Sequence, residues 1–381
     1  MQNAHVVKIG MSVTPLYPET GGSMPVGHTR GVDRATVDVY ERRAREWASR
    51  RAPVHRERAV RLAARALPVR PVADLGCGPG SYLPDLGPAV VAVDAAAAML
   101  ALAGSRLAVR ADLEALPFRD RSLGGAWASN SYLHVPKVRL PLALARLHWA
   151  MAPGAPLALS VIAGDGEGAL PDDDFPGRFF ANWEAGGLAA LLTGAGFDVL
   201  GTAIDGERLW VDARRARALP DTVAPGQRVL VCGLNPSVVA ADAGYGYAGP
   251  TNRFWRAAVA SGLVTRPRDP LGCAVHDRVG MTDLVKRATP NAAVLTAREY
   301  RAGAERVRRL VEWLRPGLVL FVGLAGWRAA VDRSATPGRQ PEPFGGSPAY
   351  VMPSTSGLNA HATLADLTRH MAAALAARQD T

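Results

Sequence analysis

Asn235 is the side chain whose position most directly suggests chemistry. It follows Arg228-Val-Leu-Val-Cys-Gly-Leu, where Val229, Leu230, Val231 and Cys232 form the apolar run of a strand buried on both faces. Gly233 permits a sharp turn, so Leu234, Asn235, Pro236 and Ser237 fall at the strand's carboxyl end, where open α/β sheets bind ligands. A neutral amide is no useful base there; it can orient a water molecule or a polar ligand. A second stretch, Val72-Ala-Asp74-Leu-Gly76-Cys-Gly78-Pro-Gly80, runs a short strand into alternating glycines. These allow a tight strand-to-helix turn and leave bare backbone for a ligand. Asp94, twenty residues after Asp74 and at the end of the run 89–93, is a carboxylate able to accept both hydroxyls of a ribose.

The elements that must hold these groups are legible from periodicity. Residues 1–30 lack it and read as a flexible tail. Residues 35–67 carry a helical pattern (Val39, Tyr40, Trp47, Val60, Leu62, Ala63, Ala66) that Pro68 and Pro71 end. Strands follow at 72–75, 89–93, 107–110 and 125–128, the third leading to Asp112-Leu113 and the fourth to Ser129-Asn130. Residues 196–200 and 209–211 read as closing strands, and a linker is expected near 213–226. Beyond the Asn235 strand come a loop with Gly244, Tyr245, Gly246, Tyr247 and Gly249, then a helix from Asn252 to Leu263 capped by Thr251 or Asn252. Thr296 to Glu299 forms a capping box for a helix with Tyr300, Ala304, Val307, Leu310, Val311 and Leu314 on one face. The strand 318–322, a helix through Trp327 and Val331, the strand 349–352 and a helix over 363–377 complete the chain. Strand-helix alternation in both halves predicts two α/β domains, each with helices on both faces of its sheet, and no internal repeat.

The 381 residues, 48% hydrophobic and 20% charged, describe a globular protein of two or three domains. Its net charge of +10 comes almost entirely from arginine, and it allows a polyanionic partner without demanding one. Cys77, Cys232 and Cys273 lie far apart without a Cys-x-x-Cys pair, which argues against a zinc ribbon or disulfides and excludes a four-cysteine iron–sulfur cluster in one chain. No signal segment or membrane span is visible, so no membrane partner and a cytoplasmic location are expected.

Gly233-Leu-Asn-Pro-Ser237, the tyrosine-rich loop, Asn252-Arg-Phe-Trp255, Met281 to Thr289 and Val351 to Asn359 stand in the order of a known family. Over roughly 219–378 the chain resembles the mismatch-specific uracil-DNA and thymine-DNA glycosylases. The resemblance implies a parallel-sheet α/β/α domain over 218–381 that acts on double-stranded DNA containing uracil or mismatches. Such an enzyme extrudes its nucleotide, because the bond to be cut is unreachable inside the stack. By this match Asn235 is catalytic, orienting water at C1′. Leu234, Ser237 and Tyr247 belong to the base pocket, with Tyr247 stacking on the flipped base. Ser354, Ser356, Gly357 and Leu358 form the wedge, Leu358 filling the vacated stack. Backbone N–H groups over 235–239 would meet the departing base anion. No metal or cofactor is implied. Tyr247, Ser237 and Ser354 depart from the phenylalanine, glycine and asparagine usual in bacterial members. Tyr245 and Asn252 to Trp255 read as packing, Asp283 and Lys286 as surface or ion-pair residues. His361 fits a phosphate contact or plain exposure equally, and the arginine-rich helix 297–315 reads as a solvated face.

The Gly-x-Gly-x-Gly turn preceded by an acid resembles class I S-adenosylmethionine-dependent methyltransferases, over about 36–212 of a domain placed at 31–213. This implies a Rossmann-like sheet with S-adenosylmethionine as cofactor. Asp74, Gly76 and Gly78 would face its methionine moiety, Asp94 its ribose, Asp112 and Leu113 its adenine. Ser129 with Asn130 would border the transferred methyl. The acceptor is not legible. Ser129-Asn-Ser-Tyr132 is not the Asn/Asp-Pro-Pro-Tyr of DNA amino-methylating enzymes, and no cysteine follows a proline, leaving small molecules or RNA. His134 and His148 are candidate catalytic bases, but each sits in an apolar-flanked helical pattern and reads as a packed or surface residue. The expectation is a bifunctional repair glycosylase and methyltransferase; the alternative is a methyltransferase whose second domain binds nucleic acid without cutting.

Overall fold

The computed structural model describes residues 33–378, and the expected tail at 1–30 lies outside the described residues. The first domain is organised on a seven-stranded sheet. Strands β1 (Val72–Leu75), β2 (Val90–Asp94), β3 (Ala108–Arg110), β4 (Gly125–Ser129) and β5 (Pro156–Ile162) run parallel. β6 (Glu167–Gly168) and β7 (Phe180–Ala181) form a separate ribbon. β8 (Phe197–Asp205) and β9 (Arg208–Arg215) add antiparallel beside β5, giving the order β3-β2-β1-β4-β5-β9-β8.

Six helices accompany this sheet among the described residues: α1 (Arg34–Arg50), α2 (Arg56–Ala63), α3 (Leu83–Leu86), α4 (Ala97–Ala103), α5 (Leu140–Ala150) and α6 (Ala185–Gly194). Strand alternation decides which layer each residue joins. On β4, Ala126 and Ala128 pack with Leu144 of α5 and Leu188 of α6, whereas Trp127 joins Ala59, Leu62 and Leu86 on the other face. The single helix expected over 35–67 is broken at 51–55. Pro53 supplies no N–H and disfavours the helical region at Ala52, so the helix cannot run on through 52–53; α1 ends at Arg50, with Arg51 already extended.

The second domain has a five-stranded sheet in the order β11-β10-β12-β14-β13. Its strands are β10 (Val229–Gly233), β11 (Val279–Asp283), β12 (Val319–Val322), β13 (Gly338–Arg339) and β14 (Ala349–Met352). The sheet is mixed, not wholly parallel as expected: β13 returns to β14 through a connection without a helix and pairs antiparallel at the edge. Val229 and Val231 face the layer of α8 (Phe254–Ala260), α9 (Pro270–Val275) and α12 (Leu364–Ala376). Leu230 and Cys232 face α10 (Ala297–Leu314) and α11 (Leu324–Ala330). The short α7 (Val238–Ala243) leads from the Asn235 turn into the tyrosine-rich loop. Both sides of Thr296's capping box are formed, and the α10 face that is buried is the one expected. Arg306 of that helix is not solvated, however, because it pairs with buried Asp221 at 2.6 Å.

The expected linker is a packed strap. β9 continues to Arg215, and residues 218–223 are buried between the sheets, with Asp221 N–H donating to Gly194 O at 2.8 Å and Thr222 bridging to Met281. Among the described residues, no helix is long and apolar enough to cross a membrane.

Candidate active sites

In the second domain the chain leaves β10 for β11 on one side and reaches β12 on the other, so a crevice opens at the carboxyl end of β10. A cavity of about 210 Å³ lies there, smaller than the usual drug-sized site and suited to one small ring. Leu234, Asn235, Ser237, Tyr247, Asn252, Asp283, Ser356 and Gly357 line it. Three acceptors hold the Asn235 amide nitrogen: Thr289 Oγ1 at 2.8 Å and the carbonyls of Pro236 and Arg287 at 3.0 Å each. That network fixes which end of the amide is nitrogen. Oδ1 is left without a protein donor among the described residues, available to a ligand or water.

Tyr247 stacks on Phe254, the ring centroids 3.9 Å apart and the planes 13° from parallel. Its backbone is left-handed (φ 59°), which costs a tyrosine on the order of 1–3 kcal/mol and persists only if its surroundings impose it. Trp255 contributes by donating Nε1–H to Gly246 O at 2.9 Å, and Tyr245 packs edge-on against Trp255. A Cβ at Gly233 would displace Asp283 Oδ1 and come within 3.1 Å of the Tyr247 hydroxyl.

The serine-rich loop borders the same cavity through Ser356 and Gly357, while Ser354 does not line it. Arg253 clamps this loop, donating to Ser356 O (2.8 Å), Asn359 O (2.7 Å) and Ala362 O. Asn359 Nδ2 closes it onto Ser354 O at 2.8 Å. Gly357 packs so tightly on Thr251 that any side chain would collide, and the next residue, Leu358, projects outward at 93% exposure. Ser237 lines the cavity, and its hydroxyl also caps α7 by accepting from Ala240 N at 3.1 Å. Of the amides over 235–239, the Val238 N–H donates to Thr289 O at 3.3 Å.

Asp283 is no surface residue. Parallel register places it beside Gly233, and burial outweighs the neighbouring Lys286 to push its carboxyl up to about 6. The available signal was positional: Asp283 ends β11 at the same sheet edge as Asn235. Lys286 is the ion-pair residue expected, bonded to Asp221 at 2.8 Å. His361 is exposed.

In the first domain a cavity of about 760 Å³ opens at the carboxyl ends of β1, β2 and β4, beneath α1. Asp74, Gly76, Gly78, Asp94, Leu113 and Ser129 all line it. Asp112 does not; its carboxylate turns back to accept from Glu114 N at 2.8 Å, leaving Ala111 and Leu113 on the wall. Gly76 lies against Ser131 and Gly78 against Trp47, both with positive φ. Asp94 is oriented by Gly78 N and Ala96 N, each at 2.9 Å. Asp74 is buried with Oδ2 unpartnered, and burial, then the charge of Asp94, pushes its carboxyl up to about 8. A buried acid without a cation among the described residues is what the amino group of an S-adenosylmethionine molecule would complete.

The far wall brings His134 together with Tyr40 and Arg178, the last of which was not singled out from sequence. His134 gives Nδ1–H to Phe179 O at 2.6 Å, so Nε2 accepts from the Tyr40 hydroxyl at 2.8 Å, and Tyr40 accepts from Arg178 at 2.9 Å. Burial lowers His134 to about 4, keeping it neutral. His148 is fully buried elsewhere.

Residues 220–377 match the family model described as the uracil DNA glycosylase superfamily, and residues 72–154 one described as a methyltransferase domain. Among solved structures, the DhpI–SAH complex is 22% identical over 50% of this chain and 99% of its own, with a TM-score of 0.40. The 1,6-didemethyltoxoflavin-N1-methyltransferase of Burkholderia thailandensis is 21% identical over 51% and 93%, at 0.39. A possible histamine N-methyltransferase of Thermotoga maritima is 16% identical over 47% and 99%, at 0.37. The chain joins two α/β domains, a Rossmann-like methyltransferase domain and a uracil-DNA-glycosylase-like domain.

Proposed function

We propose that the second domain excises uracil, and thymine where its methyl fits, from G·U and G·T mismatches in double-stranded DNA, a first step of base excision repair. The supporting observation is the anchored Asn235 amide, whose free Oδ1 shares one small cavity with Tyr247, Ser356 and Gly357. In this reading Oδ1 accepts from a water molecule and aims its oxygen at C1′. The C1′–N bond breaks, its electron pair leaves with the base, and the water's proton passes to the base or to solvent. Leu358 enters the stack from which the nucleotide has swung, replacing a few kcal/mol of lost stacking.

The first domain, in the same proposal, transfers a methyl group from S-adenosylmethionine, which supplies the electrophile when bound. Asp74 takes its amino group, Asp94 its ribose hydroxyls and Leu113 the face of its adenine. A cavity of about 760 Å³ that must also hold the cofactor favours a small-molecule acceptor over RNA.

A binding-only second domain is favoured by one observation, the Val238 N–H already given to Thr289. Single-turnover incubation with a G·U duplex separates the two. Cleavage by the wild type, reduced by about 10²-fold or more in Asn235→Ala with duplex binding retained, supports the enzyme; intact oligonucleotide after long incubation refutes it. For the first domain, Asp94→Ala should abolish the calorimetric heat of S-adenosylmethionine binding, and unchanged heat would overturn the assignment.

A further inference from the structure

The base cavity of the second domain is not shaped by that domain alone. Trp149, in the last turn of α5 of the first domain, donates Nε1–H to Gly244 O at 3.1 Å. Arg121, whose own N–H donates to Trp149 O at 2.7 Å, reaches across to the carbonyls of Ala241 (3.5 Å) and Asp242. Arg217, from the strap between the domains, pairs with the Asp242 carboxylate at 2.8 Å. These contacts converge on the segment leading to Tyr247. A second, much smaller cavity lies between Trp149 and the loop, and Tyr247 and Asp283 line it as well as the base cavity. Trp149 thus stands behind the wall whose front faces the base.

The loop needs such support. Gly244, Gly246 and Gly249 give it little stiffness of its own, and both Gly244 (φ 80°) and Tyr247 (φ 59°) are left-handed. Phe254 and Trp255 hold only the flank toward α8. We propose that Trp149 and Arg121 are positioning residues for the base pocket: the first domain fixes residues 241–247 and, through them, the Tyr247 ring. The activity readout rests on the glycosylase reading; the structural readout does not.

Full-length Trp149→Phe keeps an aromatic ring, a smaller one, and loses the N–H, and Arg121→Ala removes the second hold. Hydrogen exchange of the amides at 243–249 should accelerate about 5-fold or more in each. The control is Trp313→Ala, which deletes a different contact between the domains, the edge-on ring pair with Trp183 at 6.2 Å; it should leave loop exchange at the wild-type rate. Single-turnover excision from G·U should fall about 3–10-fold in Trp149→Phe, the range of one lost hydrogen bond. S-adenosylhomocysteine binding should stay unchanged by calorimetry. Wild-type loop exchange in both variants would overturn the proposal, as would equal acceleration in Trp313→Ala, because the loop would then follow domain docking in general. A wild type that cleaves nothing sinks the glycosylase reading, and the exchange measurements still decide the positioning role.

Discussion

Asp283 places a carboxyl group on the wall of a cavity proposed to receive a departing base anion. Burial pushes it up to about 6, so it is neutral in mild acid and negative at pH 8. A negative charge there opposes anion formation. Excision by the wild type should therefore slow as pH rises through about 6, and Asp283→Asn should flatten that profile and be faster at pH 8, read by single-turnover rates. The stability sign agrees. A carboxyl raised in the fold disfavours the native state once pH exceeds the unfolded value near 3.9, so the asparagine variant should be more stable above pH 6. The gain should be about 1 kcal/mol, after discounting for solvent in the cavity. Asp283 was misread because its neighbours in sequence, Thr282 and Leu284, say nothing about what lies across the sheet. The backbone bond of the Asp112 carboxylate to Glu114 N is likewise visible only in the local turn.

The loop over 354–362 shows what a single helix-start residue can do. Arg253 lies just ahead of α8 and bonds three carbonyls of a segment a hundred residues away. Arg253→Ala would leave those carbonyls to find water. We expect faster hydrogen exchange over 354–362 and a stability loss of about 1–3 kcal/mol in urea, with the Leu358 wedge losing its defined position. The helices whose caps and apolar faces are local properties, α10 and α12, follow the sequence closely: Thr296 with Glu299 and Thr363 with Asp366 each form a capping box. The break between α1 and α2 was also written locally, in Pro53, but a continuous run of apolar spacing hid it.

For the molecule as a whole, Asp221 is the joint. Its backbone meets the first domain at Gly194 O, and its carboxylate receives Arg306, Lys286 and Thr282 of the second. Burial alone would raise this acid, but the two cations outweigh it and hold it below the usual range. Asp221→Ala strands Arg306 and Lys286 and should cost about 3 kcal/mol, measured by denaturant titration at neutral pH. Because the acid's value is lowered in the fold, its contribution is full above the unfolded value near 3.9 and disappears as pH falls through the lower folded one. The gap between wild type and variant should close at the acid end. The buried runs at 229–233 and 319–322, the glycine turn after Asp74 and the two capping boxes were determined by the sequence itself, since each depends on residues within a few positions of one another. Only the tertiary structure decided that Asp283 shares a cavity with Asn235, that Tyr40 and Arg178 meet His134, and that Trp149 stands behind Tyr247. Those meetings depend on strand register and on how two sheets dock, and burial and charge at each site are set by atoms far apart along the chain.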